Sequence, residues 1–375
     1  MKKIHLSYFI GSMDIGGTEK HVLHLINSLS KKNYKIELHL LYREGSLINK
    51  VSKKIKIFTP KFKFNSRLKH LVNFLSSYFR IKKSNPDIIH CFLPHAYLFG
   101  GLIGLIQKKK VIMSRRSLNT YQNNYKFLPV KKIEGFLHKR SKLILANSSA
   151  VGEQLVQEGV DRKKLKILYN GIIPHVRLKN QTVKKLRSKL NLSSNHFIFL
   201  VVANLIPYKN HSMILNAVEI LKNKTKRQFK VVFIGSGNKK YEQFIKTSIL
   251  EKNLVNIVIM KKKSNEIFNF FKIADVGISS SNEEGFSNSI LEFLSFGIPI
   301  IATDVGGNPE IINDTNGFLV KKNHHYQLYE KMKILMEKPK VLKNFSSKAK
   351  QDSRNYNFRK MVKEYTKIYT EVNGY

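Results

Sequence analysis

Two carboxylates stand eight positions apart in Glu284-Gly285-Phe286-Ser287-Asn288-Ser-Ile-Leu-Glu292, across a loop that opens into a helix. Val-Gly-Ile-Ser-Ser over 276–280 reads as a strand, Ser287 to Phe296 as a helix, and Ile-Pro-Ile-Ile-Ala-Thr over 298–303 as the next strand. That order puts Glu284 at the carboxyl edge of a sheet, where open α/β folds bind ligands. Backbone N–H groups from about Ser287 to Ser289 precede the helix's own hydrogen-bond ladder and form a natural phosphate cradle. Glu292 falls about two turns along, on roughly the same side as Glu284. Such a pair also arises by chance on an ordinary helix surface. What sets this one apart is its flank, Phe-Gly-Ile-Pro over 296–299 and Thr-Asp-Val-Gly-Gly-Asn-Pro-Glu over 303–310.

Further stations of the same kind recur at predicted strand ends. Gly16-Gly17-Thr-Glu opens a helix after the first strand, where glycines permit close backbone approach to a phosphate. It lacks the G-x-G-x-x-G spacing of a dinucleotide fingerprint. His90-Cys-Phe-Leu-Pro-His95 and Ser114-Arg115-Arg116 follow the third and fourth strands, with His90 expected inside its strand. Arginine there suits bidentate contact with a phosphate, and a solvated basic loop explains it equally well. Val202-Ala-Asn204-Leu-Ile-Pro-Tyr-Lys209 and Gly235-Ser-Gly237 follow strands in the second half.

Together these segments resemble the retaining glycosyltransferases of family 4, which have the GT-B fold and an E-x7-E signature, and the resemblance runs along most of the chain. It implies an α/β protein of two Rossmann-like domains with parallel sheets facing across a cleft. It implies transfer of a sugar from a nucleoside diphosphate sugar, UDP by default, to a hydroxyl of a glycan or lipid-linked acceptor, in polysaccharide or glycolipid synthesis. In this reading His95 and Glu284 attend the transferred sugar and Glu292 the ribose. Lys209 and the turns at Gly16, Gly17, Gly235 and Gly285-Phe286-Ser287-Asn288 hold the nucleotide, Lys261 to Lys263 lie where the base is contacted, and Arg115 and Arg116 serve the acceptor. No metal and no cofactor beyond the donor substrate are expected. One departure stands out: the family pairs Lys209 with an arginine five residues earlier, and here that residue is Asn204. This keeps two alternatives in view, a sugar-nucleotide epimerase of the same architecture and a membrane-bound assembly protein with a degenerate transferase site.

Strands are expected near 3–10, 35–42, 87–93, 110–114, 142–147 and 165–169, alternating with helices near 18–30, 68–82, 95–106, 130–140 and 148–158. Such alternation predicts a parallel sheet covered on both faces. After a break at Asn170-Gly171-Ile-Ile-Pro174 and a polar stretch to about Asn195, strands near 197–203, 230–235, 255–260, 276–280, 298–303 and 317–320 alternate with helices near 211–223, 239–250, 264–273, 287–296 and 325–337. The domains are therefore set at 1–172 and 173–355. Residues 356–375 form a helix that, by the resemblance, returns to the N-terminal domain.

Sixty-seven basic residues against 25 acidic ones give a net charge of +42. Between Gly45 and Ile133 stand one acid, Asp87, and 19 Lys and Arg, interleaved with Phe58, Phe62, Phe64, Phe74, Tyr78 and Phe79. That mixture suits an anionic membrane surface. No RNP, zinc-finger, KH or basic-zipper pattern points to nucleic acid. The single cysteine, Cys91, excludes an internal disulfide and is expected in a buried strand. With no apolar run of about 18 residues and no signal-peptide pattern, a cytoplasmic protein, peripheral on the inner face of the cell membrane, is expected.

Overall fold

The computed structural model describes residues 3–42, 45–60, 67–120, 130–172, 180–262 and 267–374. The chain divides into two compact units, Met1–Asn170 together with Arg359–Tyr375, and Gly171–Phe358.

The first unit runs β1 (Ile4–Ile10), α1 (Gly17–Leu29), β2 (Tyr34–Leu40), β3 (Lys56–Phe58), α2 (Arg67–Ser84), β4 (Ile88–Phe92), α3 (Pro94–Ala96), a π-helical segment (Tyr97–Gly101), α4 (Leu102–Ile106), β5 (Lys110–Arg115), α5 (Val130–Arg140), β6 (Leu143–Ala146), α6 (Ser149–Gln157) and β7 (Leu165–Ile167). The second runs α7 (Asn180–Lys189), β8 (Phe197–Val202), α8 (His211–Lys224), β9 (Phe229–Ile234), α9 (Lys239–Glu251), β10 (Val258–Lys261), α10 (Ile267–Ile273), β11 (Val276–Ser279), α11 (Asn288–Ser295), β12 (Ile300–Thr303), β13 (Gly317–Val320), α12 (His325–Glu337) and α13 (Pro339–Asp352). The last helix, α14 (Phe358–Asn373), belongs to the first unit from Arg359 onward.

Both sheets are parallel throughout. Their strand orders are β3-β2-β1-β4-β5-β6-β7 and β10-β9-β8-β11-β12-β13. Each reverses direction once, between β1 and β4 and between β8 and β11. Those two switch points are where loops diverge and leave room for a ligand. The central strands are buried on both faces and read as apolar runs, as Phe197–Val202 does.

Three elements escape the sequence reading. Strand β3 is three residues long. Helix α7 lies in the stretch read as polar, and its apolar positions Val183 and Leu186 are diluted by lysine and arginine, with buried Leu190 just beyond its end. Helix α13 follows α12 directly and buries Phe345 and Ala349. The helix expected over 95–106 is interrupted by the π-helical segment. Pro174, Phe62, Phe64 and Lys263 lie outside the described residues.

Helix α14 is tied into the first unit by a buried polar chain. The Tyr369 hydroxyl shares hydrogen bonds with the Tyr8 hydroxyl at 2.6 Å and with His90 Nδ1 at 2.8 Å, and His90 Nε2 pairs with Ser114 Oγ at 2.7 Å. Tyr365 pairs with His21 Nε2 at 3.0 Å. Cys91 is fully buried beside them in β4, where burial raises its thiol pKa.

Two other buried histidines set an acid limit on stability. Burial first, then Arg115, pushes the pKa of His138 down to about 3. Burial first, then Lys209, pushes that of His211 down to about 4. The unfolded chain takes up each proton near pH 6.5 and the folded one does not. The stability these neutral rings contribute is therefore complete above about pH 6.5 and is lost as the pH falls toward their folded values. The expected slope is about 1.4 kcal/mol per pH unit for each ring. His211 packs edge-on between Phe233 and Tyr241 with neither ring nitrogen hydrogen-bonded. His211→Phe should therefore flatten the slope by one proton in urea unfolding between pH 6.5 and 5, and an unchanged slope would refute the assignment.

Candidate active site

In the second unit, the loop after β8 carries Lys209 and the loop after β11 carries Glu284, so the two residues flank the switch point of that sheet. Lys209 Nζ meets Glu284 Oε1 at 2.5 Å, with both side chains mostly buried. Ser281 Oγ donates to the same oxygen at 2.8 Å. Burial works to lower the Lys209 pKa, but the Glu284 carboxylate and neighbouring Tyr208 outweigh it and raise the value. Lys209 is therefore a fixed cation held at a sheet edge.

The backbone around this pair is pinned from several sides. Ser280 Oγ donates to the carbonyls of Lys209 and Asn210, and the Asn282 amide donates to the Tyr208 carbonyl. Thr303 Oγ1 donates to the Ser281 carbonyl at 2.6 Å. These hydroxyls escaped the sequence reading. Their one signal is the run Ser279-Ser-Ser-Asn282 directly before the glutamates.

Gly306 closes the arrangement. Its φ is +52°, in the left-handed region, and a Cβ there would lie 1.7 Å from the Glu284 carbonyl oxygen. The next amide, of Gly307, donates to the Gly285 carbonyl at 3.1 Å. Gly306→Ala adds left-handed strain to a backbone collision, so it should cost about 1–3 kcal/mol and push the Glu284 loop outward. The check is a thermal melt alongside nucleotide-sugar binding. A variant with the wild-type melting temperature and affinity would contradict the packing described.

Glu292 lies half-buried on α11. The first hydrogen bond inside α11 runs from the Leu291 amide to the Ser287 carbonyl. Ser287 makes no side-chain cap there, and its hydroxyl pairs instead with Ser289 Oγ at 3.1 Å. The amides at this helix end thus retain the geometry of an anion cradle. Phe286 corrects an expectation: its side chain is buried in the apolar core against Tyr356, with ring centroids 5.6 Å apart. Its ring is taken up by the core because an apolar side chain gains more there than at a polar site. Gly235 permits close approach of another kind, since a Cβ there would lie 1.9 Å from the Ala203 carbonyl oxygen. The Gly235–Gly237 turn packs directly on the strand exit that carries half-buried Asn204, with the Leu205 amide donating to the Ser236 carbonyl.

In the first unit, Gly16, at the start of α1, and His95, in α3, flank the other switch point, after β1 and β4. His95 is exposed, with Nδ1 3.4 Å from the Tyr42 hydroxyl. Surrounding residues first, then His70, lower its pKa. Leu93, two positions earlier, has φ 72° and ψ 155°, a conformation that favours glycine and costs a leucine about 1–3 kcal/mol. Strain of that size is held where the structure needs an unusual exit from a strand. At α1 the Glu19 carboxylate folds over Gly16, where a Cβ would lie 2.0 Å from its oxygen. The helix's own acid thus stands at the helix end expected to take a phosphate, where a negative charge is favoured.

The two arginines also depart from expectation. Arg115 lies within β5, not in a loop after it, and is 1% exposed. Its guanidinium pairs with Glu158 at 2.9 Å and Glu134 at 3.3 Å. Arg116 is buried and donates to Asn170 Oδ1 at 2.7 Å. Arg115 is therefore a structural cation whose charge two carboxylates already claim.

Among the described residues, no group of three His, Cys, Asp or Glu side chains is arranged to hold a metal ion. Likewise no described helix is long and apolar enough to cross a membrane.

Comparison with known proteins bears on this geometry. Two family models match in succession: Glycosyltransferase Family 4 over residues 15–175 and Glycosyl transferases group 1 over residues 182–352. An uncharacterised glycosyltransferase of Methanocaldococcus jannaschii is 25% identical, covering 96% of this chain and 95% of its own. The N-acetylgalactosamine-N,N'-diacetylbacillosaminyl-diphospho-undecaprenol 4-alpha-N-acetylgalactosaminyltransferase of Campylobacter jejuni is 26% identical, covering 96% and 97%. The UDP-Gal:alpha-D-GlcNAc-diphosphoundecaprenol alpha-1,3-galactosyltransferase of Escherichia coli is 26% identical over 78% of each chain. Among solved structures, Anabaena HepE in complex with UDP and glucose superposes with a TM-score of 0.86 at 18% identity, covering 98% and 100%. A glycosyltransferase from Rickettsia africae does so with 0.84 at 21%, covering 100% of each chain.

Proposed function

We propose that this chain, a glycosyltransferase built on the GT-B fold, moves a sugar from a UDP-sugar to a hydroxyl of a lipid-linked glycan, with retention at the anomeric carbon and without a metal. The observation that carries the reading is the Lys209–Glu284 pair across the switch point of the second sheet. The undecaprenol-linked substrates in the names of the Campylobacter and Escherichia relatives support the acceptor class. The UDP bound in the HepE structure supports the donor.

Bond breaking builds positive charge on the sugar ring and negative charge on the departing phosphate. Lys209, the α11 amides and the glycine turns at Gly235 and Gly306 would take the phosphate charge, where preorganised dipoles contribute most. Glu284 would hold the donor sugar and Glu292 the ribose hydroxyls, while His95 would orient a sugar hydroxyl from the first unit. The acceptor hydroxyl would attack from the side of the leaving group. In this scheme the second unit binds the donor and the basic first unit the acceptor, with the protein peripheral on the inner face of the cell membrane.

The test is release of nucleoside diphosphate from UDP-, GDP- and ADP-sugars, with and without membrane lipid extract, for wild type and Glu284→Ala. Lipid-stimulated release from one donor, lost in the variant, is the expected result. A folded wild type that turns over no donor would overturn the reading and favour a binding-only protein, with Asn204 as the cause. Interconversion of two sugar nucleotides without acceptor would favour the epimerase.

A further inference from the structure

Asn210 stands between the helical turn Pro207–Lys209 and the first residue of α8. Its backbone is left-handed, with φ 49° and ψ 51°. Asparagine tolerates that region better than most residues, and glycine enters it without steric cost. The backbone alone therefore does not call for a side-chain amide here. The contacts of that amide go further. Its Oδ1 accepts the Met213 amide at 3.3 Å and so caps α8. A serine or an aspartate caps a helix as well. What the carboxamide adds is a pair of N–H donors on the same group. Nδ2 directs both outward, one to Asn282 Oδ1 at 3.0 Å and one to Asn323 Oδ1 at 2.7 Å.

The three asparagines come from three loops at the carboxyl edge of the second sheet, Asn210 after β8, Asn282 after β11 and Asn323 after β13. Asn282 is in the loop that carries Glu284. Its own backbone amide donates to the Tyr208 carbonyl at 2.8 Å, and Ser280 Oγ reaches the carbonyls of Lys209 and Asn210 at 2.8 and 2.9 Å. The backbone of Lys209 is thus held from both sides. Asn282 is half-buried and Asn323 exposed, so water competes less with the bond to Asn282. Between Val202 and Ser212 the chain has no Lys or Arg besides Lys209. If this ammonium shifts away from Glu284, no second cation in the loop covers its place.

We infer that Asn210 is a positioning residue, whose side-chain amide clamps the loops after β8, β11 and β13 together and so fixes the Lys209 ammonium opposite Glu284. For its consequence, donor affinity, the inference rests on the proposed function; the clamp itself is independent of that reading.

The test is Asn210→Gly in the full chain. Glycine keeps the left-handed backbone and weakens the cap little, so the melting temperature should stay within about 2 °C of wild type. Two readouts need no donor. Hydrogen exchange over 280–286, which the substitution leaves unaltered in sequence, should quicken about fivefold. Labelling of Lys209 by acetic anhydride, read by mass spectrometry, should quicken by a similar factor as the paired ammonium comes loose. In steady-state kinetics the donor KM should rise about tenfold, while kcat and the acceptor KM change by less than about twofold. A residue that only supports the fold would instead lower the active fraction, and with it kcat, and leave the donor KM in place. In a Lys209→Met background the same substitution should move the donor KM by less than about twofold, because Asn210 acts through Lys209. Exchange and labelling that both match wild type would overturn the clamp. Looser loops with an unmoved donor KM, or an equal rise with and without Lys209, would overturn the positioning role. A wild type that turns over no donor, while the variant still exchanges and labels faster, would remove the transferase reading and leave the clamp standing.

Discussion

Glu284→Gln should lower kcat/KM by about 10²–10³-fold, the loss usual when one charged or donating group at a reacting centre is removed. The substitution preserves shape and removes the charge that holds Lys209 in place. Both the 2.5 Å contact from Lys209 and the 2.8 Å contact from Ser281 fall on one oxygen, Oε1. An amide there would answer Lys209 with a dipole only, and the ammonium would leave its station at the sheet edge. Lys209→Met should produce a loss of similar size, read chiefly as weakened nucleotide-sugar binding. Because the two residues act as one unit, the double variant should fall little below the worse single one. Steady-state kinetics on all four proteins checks this. Losses that multiply would show that the pair is incidental and that each residue acts alone.

The second large effect concerns stability. Arg115→Ala leaves Glu134 and Glu158 facing each other in a buried site without their cation, an arrangement that costs about 3–5 kcal/mol. Lysine cannot replace the fork that meets both carboxylates. Arg115→Met with Glu134→Met and Glu158→Gln should recover much of the loss, since neutral side chains of similar volume remove both stranded charges. Urea unfolding of the three proteins decides the matter. If instead Arg115→Ala unfolds like wild type and only the acceptor KM rises, the arginine serves the acceptor and the buried triad is not its role.

These two clusters show what a sequence exposes and what it conceals. The parallel strands announce themselves because a strand buried on both faces must be apolar along its length, as in Phe-Ile-Phe-Leu-Val-Val at 197–202. The glutamate pair and its glycine flank are legible because they are local. Strand β3 is hidden because three residues carry no periodicity. Helix α7 is hidden because Val183 and Leu186, with Leu190 just beyond the helix, keep helical spacing inside a lysine-rich polar stretch. Arg115 looked like a ligand because its partners lie 19 and 43 positions away. Phe286 looked like part of the donor site because it stands between Gly285 and Ser287 in the segment that joins the two glutamates. The role of Gly306 depends on a carbonyl 22 positions earlier in the chain, which neither spacing nor composition reveals.

The course of the backbone through the two units has a consequence for how the protein is made. Gly171–Phe358 is one uninterrupted segment, whereas the first unit is assembled from Met1–Asn170 and Arg359–Tyr375. Its outgoing and returning passages run side by side: the Ile172 amide donates to the Tyr356 carbonyl at 2.7 Å, and the Phe358 amide donates to the Ile172 carbonyl. On the ribosome, the segment that emerges first is thus completed last. Until α14 emerges, Tyr8, His21 and His90 lack the tyrosine hydroxyls they meet in the finished molecule. The later segment holds all of its own residues sooner and can fold as a unit while the earlier one waits. A chain truncated after residue 358 and released should therefore be protease-resistant over 180–350 and cleavable over 1–170.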